Sequence, residues 1–335
     1  MIKVGIVGAS GYTGLELIKM LVTHHGFELS YLATTQGGIR VEDLHPSLQD
    51  VISLPVEKAD VSTIVERCEL VFLALPHKAS MGLAKKLLDK GVKVVDLSAD
   101  YRLELDTYEA NYCPHEDKVH LDDSVYALVE YYRDALKTTK LAAGPGCYPT
   151  STLLGILPFV PYLDENAPLF VDAKSGISGA GKKLNEDVHF VNMNENIFAY
   201  KAFEHRHEPE IAEKIEKIHG VKLNVNFVPH LIPVTRGELV SVYGILKEDI
   251  DPVALLKEHY KNDPFIRIRE KPVDIKSTVG THFCDIYAVR KGNALFVSAA
   301  IDNLLRGASS QALAAANLMC GYDEGMGLPV IPYMP

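Results

Sequence analysis

The first third of the chain alternates short apolar runs with stretches of helical spacing. Residues 2–7 are β-branched and apolar and close on a glycine, and residues 14–22 place Leu15, Leu17, Ile18, Leu21 and Val22 on one helical face. Residues 27–33, 70–75, 92–97 and 141–143 read as further strands, with 81–88 as a helix among them. Strand, helix and strand in succession predict right-handed crossovers and a parallel sheet. After residue 146 the rhythm changes. Residues 169–173, 223–228, 239–246, 265–268, 283–289 and 294–301 are strand-like with fewer helices between them, and Gly292-Asn293 separates the last two as a hairpin turn. A mixed or antiparallel second sheet is expected. An alanine-rich helix over 308–319 is expected to pack back on the first domain. The pattern thus predicts an α/β protein: a Rossmann-like, doubly wound dinucleotide-binding domain and a second α+β catalytic domain. The boundaries are 1–146 plus 304–335 for the first and 147–303 for the second.

Composition narrows the class. The chain has 335 residues, 47% of them apolar and 23% charged, as in a globular enzyme of two domains. A net charge of −10 disfavours nucleic acid as a partner, and no run approaches the ~18 apolar residues of a membrane span. The amino terminus opens directly into a strand pattern without the features of a signal peptide. Five cysteines without CxxC spacing point to reduced thiols in a cytoplasmic protein rather than to disulfides or a zinc ribbon.

The string GIVGASGYTG sets Gly8, Gly11 and Gly14 between the first strand and first helix. Its two readings are a pyrophosphate cradle at a helix N-terminus, with Ser10, Tyr12 and Thr13 in the turn, and a close-packed corner. The first is favoured, although the spacing is GxxGxxG rather than GxGxxG. NAD sites place an acid about 20 residues beyond the glycines. Residues 29–41 contain none, and offer Thr34, Thr35 and the lone cation Arg40, which suits a 2′-phosphate and predicts NADP. Cys147 follows Gly-Pro-Gly, and Pro149 opens an apolar helical stretch to residue 160. A thiol at or before such an N-cap is stabilised as thiolate, so a nucleophile is favoured over a small buried hydrophobe. The other four cysteines lack that setting.

GPGCYPT and GIVGASGYTGLEL resemble the N-acetyl-γ-glutamyl-phosphate reductases of arginine biosynthesis, as do DLSADYR, SGISGAGKK, EHRHEPEI, PHLIPVTRG and DNLLRGASSQA. The resemblance covers nearly the whole chain. It departs from the family at Ala143-Gly144-Pro145, where an Asn usually stands between the glycine and the proline, and at Ser151, where Gly or Ala is usual. The resemblance implies a glyceraldehyde-phosphate/semialdehyde dehydrogenase-like fold and attack of Cys147 on an acyl phosphate. A thioester would form and be reduced with NADPH, in a homodimer or homotetramer. A carrier-linked aminoadipyl-phosphate reductase, a Cys/His peptidase and a non-catalytic dinucleotide sensor are the rival readings.

His205 and His207 flank Arg206 just before Pro209, which is expected to begin a helix to residue 218. Taken alone, the pair reads as caps or surface; the resemblance makes it the acid/base group, with His207 preferred as nearer the helix end. Related aspartate-semialdehyde dehydrogenases carry their histidine after a Pro-Val segment, whereas here Pro233-Val234 runs into Thr235-Arg236-Gly237-Glu238. No third partner suggests a metal. Arg102 is placed at the end of a strand on the carboxyl edge of the first sheet, as a substrate fork or as a partner of Asp100. The resemblance assigns Arg102, Arg236 and Ser178 to the substrate. It assigns Gly179, Gly181, Asn303, Pro76 and Ser98 to the cofactor beside the glycine turn, Thr34 and Arg40. By their residues alone, 178–181 form a glycine-rich loop that can bring backbone donors close to cofactor or phosphate, or a plain turn, and Asn303 is a helix-start residue. Lys183 is a further anion candidate.

Overall fold

The run Leu70–Leu73 is buried at every residue, as are Val4, Ile6 and Val7 in the first strand, because helices cover both faces of the sheet they share. That sheet has eight strands: β1 (Ile2–Val7), β2 (Phe27–Thr34), β3 (Ile39–Arg40), β4 (Pro55–Lys58), β5 (Leu70–Leu73), β6 (Lys93–Asp96), β7 (Val125–Tyr126) and β8 (Leu141–Ala143). Their order is β3-β4-β2-β1-β5-β6-β8-β7, parallel throughout except for β3 against β4. The chain leaves β1 toward β2 on one side and later adds β5 on the other. The turn after β1 therefore lies at the topological switch point, where open α/β sheets bind ligands. The computed structural model describes residues 1–333.

The chain divides into two units, Met1–Pro145 with Ala308–Pro329 and Gly146–Gly307 with the residues from Val330. The C-terminal helix, Ser310–Met319, belongs to the first unit and is buried along its whole length. It is preceded by a π-helical turn, Leu305–Ser309, where a continuous helix from 308 was expected. Its alanines suit close packing, and Gln311 Nε2 donates to the Ala127 carbonyl at 2.6 Å.

The second unit carries β9 (Pro168–Gly176), β10 (Phe198–Ala199), β11 (Asn224–Ile232), β12 (Glu238–Ile245), β13 (Ile266–Ile268), β14 (Cys284–Lys291) and β15 (Ala294–Ile301) in the order β10-β11-β9-β12-β15-β14-β13. It is a mixed sheet: β9/β11 and β13/β14 are parallel and the other pairs antiparallel. Lys291 pairs with Ala294, leaving Gly292 and Asn293 as the two-residue loop, with Gly292 at φ 61°. The helix Cys147–Ile156 packs on β12 and β15, and the helix His207–His219 on β11 and on the cysteine helix. Phe170, Tyr243, Phe296 and Val289 stand opposite one another across β9, β12, β15 and β14. Three of them, Phe170, Tyr243 and Val289, are exposed, an apolar row on the sheet. Strands β3, β4, β7 and β10, of two to four residues, escaped the pattern because so short a stretch shows no period.

Candidate active site

The cysteine helix begins at Cys147 itself, with extended Gly146 as its N-cap and no side-chain cap. Pro149 is thus its third residue rather than its start, still within the first turn where proline is tolerated. Tyr148–Ile156 are all buried, and Cys147 alone in this helix is partly exposed. The sulfur therefore stands at the positive end of a helix anchored in the core, the setting that favours a thiolate. Gly307 lies so close that a Cβ there would meet the Cys147 Cβ at 2.6 Å.

The histidine helix begins at His207, two residues ahead of Pro209. The His207 ring lies over Gly146: a Cβ on Gly146 would meet its Nε2 at 2.5 Å. Glu210, one turn further on, accepts the Gly146 N–H at 2.9 Å. His207 and Glu210, at i and i+3 on one helical face, thus grip the residue just before the cysteine. His205 sits differently. Its Nδ1 accepts the His207 backbone N–H at 3.2 Å, and its ring meets His207 edge-on at 4.7 Å and Tyr200 at 5.5 Å. The structure thus sets His207 against the cysteine loop and His205 behind it. Tyr148, whose hydroxyl donates to the His230 carbonyl at 3.1 Å, packs on both rings.

Sequence reasoning missed Glu238. It starts β12, is fully buried, and accepts the Ser151 hydroxyl at 2.5 Å. Burial pushes its carboxyl up to about 7. The available signal was Ser151, a buried hydroxyl where the family usually has Gly or Ala. Glu210 and Gly307 were missed as well.

Arg236 is tied to Asp302 at 3.0 Å and lies over the Tyr333 ring. Asp302 in turn accepts the N–H groups of Gly280, Leu304 and Leu305. Asn303 accepts the Gly237 N–H and donates to the Ser178 hydroxyl, both at 2.9 Å. It therefore links the Ile177–Ala180 turn to the start of β12 rather than merely opening a helix. Gly179 abuts the Ser175 hydroxyl, whereas Gly181 at φ 79° and Lys183 are open to solvent.

The glycine turn lies in the first unit. Gly8, at φ 100°, faces the Ala74 carbonyl, and Gly14 faces the Gly8 carbonyl, so neither position has room for a side chain. Gly11 caps the first helix, Tyr12–Val22, without a side-chain bond, and a Cβ on it would meet nothing nearer than 3.7 Å. Backbone N–H groups at that helix start are open to an anion, so the cradle fits a dinucleotide pyrophosphate. Ser10, Thr13 and the exposed Tyr12 line it.

Three expectations need correction. Arg40 is not a lone cation: its Nε pairs with Glu42 at 2.8 Å, one residue past the acid-free window, and it also bonds Ser53. The Ser53 hydroxyl, which donates to Glu42 at 2.5 Å, and the Arg40 guanidinium hold the Glu42 carboxyl down at about 2. Arg102 does not end a strand, because β6 stops at Asp96. It is buried, donating to the Gly144 and Leu97 carbonyls at 2.6 and 2.9 Å, while Asp100 accepts from Lys78, Ser80 and Met81 N–H groups and from Tyr108. The 70–75 run stops at Leu73, leaving Pro76 exposed on a loop. Thr34 accepts the Gly37 N–H at 3.0 Å, and Ser98 donates to buried Asp96 at 2.6 Å, so both hydroxyls are engaged within the fold. Among the described residues, no group of three or more potential ligands is placed to hold a metal ion.

A switch-point glycine cradle in one unit and a helix-N-terminal cysteine in the other belong to the semialdehyde dehydrogenase class. The family model for the NAD-binding domain of semialdehyde dehydrogenases matches residues 3–139, and that for their dimerisation domain matches 147–303. Curated N-acetyl-gamma-glutamyl-phosphate reductases are similar over the full length of both chains: 79% identical in Sulfurovum sp. and 42% in Syntrophobacter fumaroxidans. That of Wolinella succinogenes is 61% identical over 100% of this chain and 99% of its own. The chain belongs to the N-acetyl-gamma-glutamyl-phosphate reductase family. It shares its fold with solved aspartate semialdehyde dehydrogenases. Aspartate semialdehyde dehydrogenase II of Vibrio cholerae superposes with a TM-score of 0.73 at 16% identity, over 96% of this chain and 99% of that one. The Candida albicans enzyme, solved with NADP, gives 0.69 at 16% identity over 96% and 98%. The cofactor class is therefore a nicotinamide dinucleotide.

The contact at Gly307 makes a testable statement. Gly307→Ala forces the Cys147 backbone to move and is expected to cost roughly 1–3 kcal/mol, as overpacking does. Urea unfolding would measure this, and iodoacetamide labelling of Cys147 should change with it. Wild-type stability and labelling in the variant would show that the close approach is not held in solution.

Proposed function

We propose that the protein reduces N-acetyl-γ-glutamyl phosphate to N-acetylglutamate 5-semialdehyde and phosphate with NADPH, in the cytoplasm, as a step of arginine biosynthesis. The observation that carries this reading is Cys147, the first residue of a buried helix, with His207 Nε2 against the residue before it. The relatives bear that activity in their names.

The sulfur forms a bond to the acyl carbon, the acyl C–O bond to phosphate breaks, and a Cys147 thioester remains. His207 gives a proton to the departing phosphate oxygen and regains one from solvent. A nicotinamide dinucleotide held at the Gly8–Gly14 turn would supply the hydride that converts the thioester to an aldehyde. The sulfur then leaves as thiolate. The Gly8–Gly14 turn holds the pyrophosphate, and Arg236 and Ser178 are assigned to orienting the substrate. Arg102, engaged with the Leu97 and Gly144 carbonyls, is assigned to fixing the loop before the cysteine. No feature of the site favours a carrier-linked aminoadipyl substrate. A dinucleotide sensor has no use for a cysteine so held.

The reverse reaction with N-acetylglutamate semialdehyde, phosphate and NADP⁺ tests this. Cys147→Ala is expected to lose turnover by at least roughly a thousandfold, and His207→Asn by about 10²–10⁴, with His205→Asn affected much less. No phosphate-dependent turnover by folded wild type would overturn the reading.

NADPH is preferred over NADH because residues 29–41 hold no acid for the ribose and Arg40, on β3, is the cation of that stretch. The Glu42 carboxylate competes for that arginine, so a 2′-phosphate has to draw it away. Arg40→Ala is expected to raise KM for NADPH roughly tenfold or more, the worth of one charge-assisted hydrogen bond, and to leave KM for NADH unchanged. Equal effects on both cofactors would remove Arg40 from the site.

Assembly as a homodimer or homotetramer is supported by the match to a dimerisation domain and by the row Phe170, Tyr243, Phe296 and Val289. A second copy of this chain would bury that row. Tyr243→Asp is expected to shift the protein to monomer in sedimentation velocity; an unchanged oligomer would place the contact elsewhere.

A further inference from the structure

Glu238 is a fully buried acid without a cation. Among the described residues no salt bridge reaches it, and Asp302, whose charge acts on it, bears the same sign. Arg236, two residues away, is engaged with Asp302. One carboxyl oxygen, Oε1, accepts the Ser151 hydroxyl at 2.5 Å. The other, Oε2, is equally inaccessible to water and takes no hydrogen bond of ordinary length. A structural carboxylate in a core has its oxygens satisfied and its charge paired. This one has a single oxygen satisfied and no cation.

Its surroundings point to the sulfur. Ser151 stands one turn beyond Cys147, so the two side chains share a face of the same helix. Cys147 is close enough to the Glu238 carboxyl to favour its charged form. Across the sheet Glu238 pairs with Ser175 on β9 and Ile301 on β15, neither of them ionisable in the physiological range. Tyr148 and Tyr200 are the remaining titratable neighbours, and burial drives both phenols far above their usual range. Glu238 and Cys147 therefore form a pair in which one proton passes easily from sulfur to oxygen.

We propose that Glu238 is the proton acceptor for Cys147 in thioester formation. The S–H bond breaks, the proton goes to the Glu238 carboxylate, and the electron pair stays on sulfur to bond the acyl carbon. When the aldehyde leaves, the thiolate takes that proton back. Ser151 is a positioning residue that holds the carboxyl toward the thiol. His207 is then left to act at the phosphate oxygen, which divides the proton work between two groups. The substrate in this account rests on the function proposed above; the sharing of a proton does not.

The test needs no substrate. Alkylation of Cys147 by iodoacetamide is followed against pH for wild type, Glu238→Gln and Ser151→Ala, with Cys147→Ser as blank. Burial raises the Glu238 carboxyl to about 7, so its proton is present below that pH and lost above it. Wild type should therefore show two rises in rate, the first near pH 7 as the pair loses its first proton and the second at alkaline pH. Glu238→Gln keeps the shape but cannot titrate, and should show one rise. Ser151→Ala removes a hydrogen bond that favours the carboxylate, so its first rise should move to higher pH. In turnover, Glu238→Gln is expected to lower kcat about a hundredfold or more with little change in KM, and Glu238→Asp to restore part of it.

A first rise that persists in Glu238→Gln would overturn the proposal. If that variant does not fold, an unshifted rise in Ser151→Ala would do the same. The predicted profiles without turnover on the semialdehyde would refute the substrate and leave the proton pair standing. Wild-type turnover with identical profiles would refute the pair alone.

Discussion

Gly146 cannot carry a side chain, and the chemistry depends on that. Its N–H is held by Glu210, its Cα lies under His207 Nε2, and its carbonyl accepts both the Thr150 N–H and the Thr150 hydroxyl. Those contacts fix where the helix starts, and the start fixes which residue stands at its positive end. Because the nine residues after Cys147 are buried, the helix cannot slide or rotate to relieve a misfit at its first turn. A methyl group at 146 would displace the imidazole, and one at 307 would displace the cysteine. Rigidity in this site is a property of two glycines and a core.

Polar burial follows from the same placement. A helix whose first turn must present a thiol while its remainder lies in the core brings hydroxyls inward with it, and Thr150, Ser151 and Thr152 are all buried. Thr150 turns back on its own backbone, and Ser151 needs an acceptor, which Glu238 provides. The same logic governs the second cluster, where Asp302 gathers Arg236 and three backbone N–H groups and Asn303 bridges two loops. In the first unit the buried acids Asp96 and Asp100 are met by Ser80, Ser98, Tyr108 and backbone donors instead of cations. Burial pushes the Asp96 carboxyl up to about 6. Hydrogen-bond donors stand in for cations in that network and work against this rise at Asp96.

The long strands, the glycine turn, the cysteine and the histidine pair were legible because each leaves a local mark: a period, a glycine spacing, a proline in a first turn. Residues 70–73 and 294–301 are apolar enough to announce themselves. Arg102 and Arg40 were misjudged for the opposite reason. A guanidinium looks the same in sequence whether it faces an anionic ligand, the carbonyls of Leu97 and Gly144, or a glutamate two residues away. Glu210 and Glu238 were invisible because their partners lie 64 and 87 positions distant along the chain. Only the fold brings such pairs together, and no periodicity encodes them.

The two acid/base candidates differ in how the fold commits them, and this decides their division of labour. His207 is set by its own helix start, so its position follows from backbone geometry that Glu210 reinforces. Glu238 is set by a strand register, Glu238 opposite Ser175 and Ile301, which slips only if its whole row of neighbours slips too. The histidine is partly exposed, where a leaving phosphate and solvent protons can reach it, whereas the glutamate is sealed from water. A sealed carboxyl exchanges protons only with what touches it, and an exposed imidazole exchanges with whatever arrives. In the mechanism proposed, the thiol pair meets solvent only through partly exposed Cys147, so its proton transfer runs apart from the proton given to the phosphate.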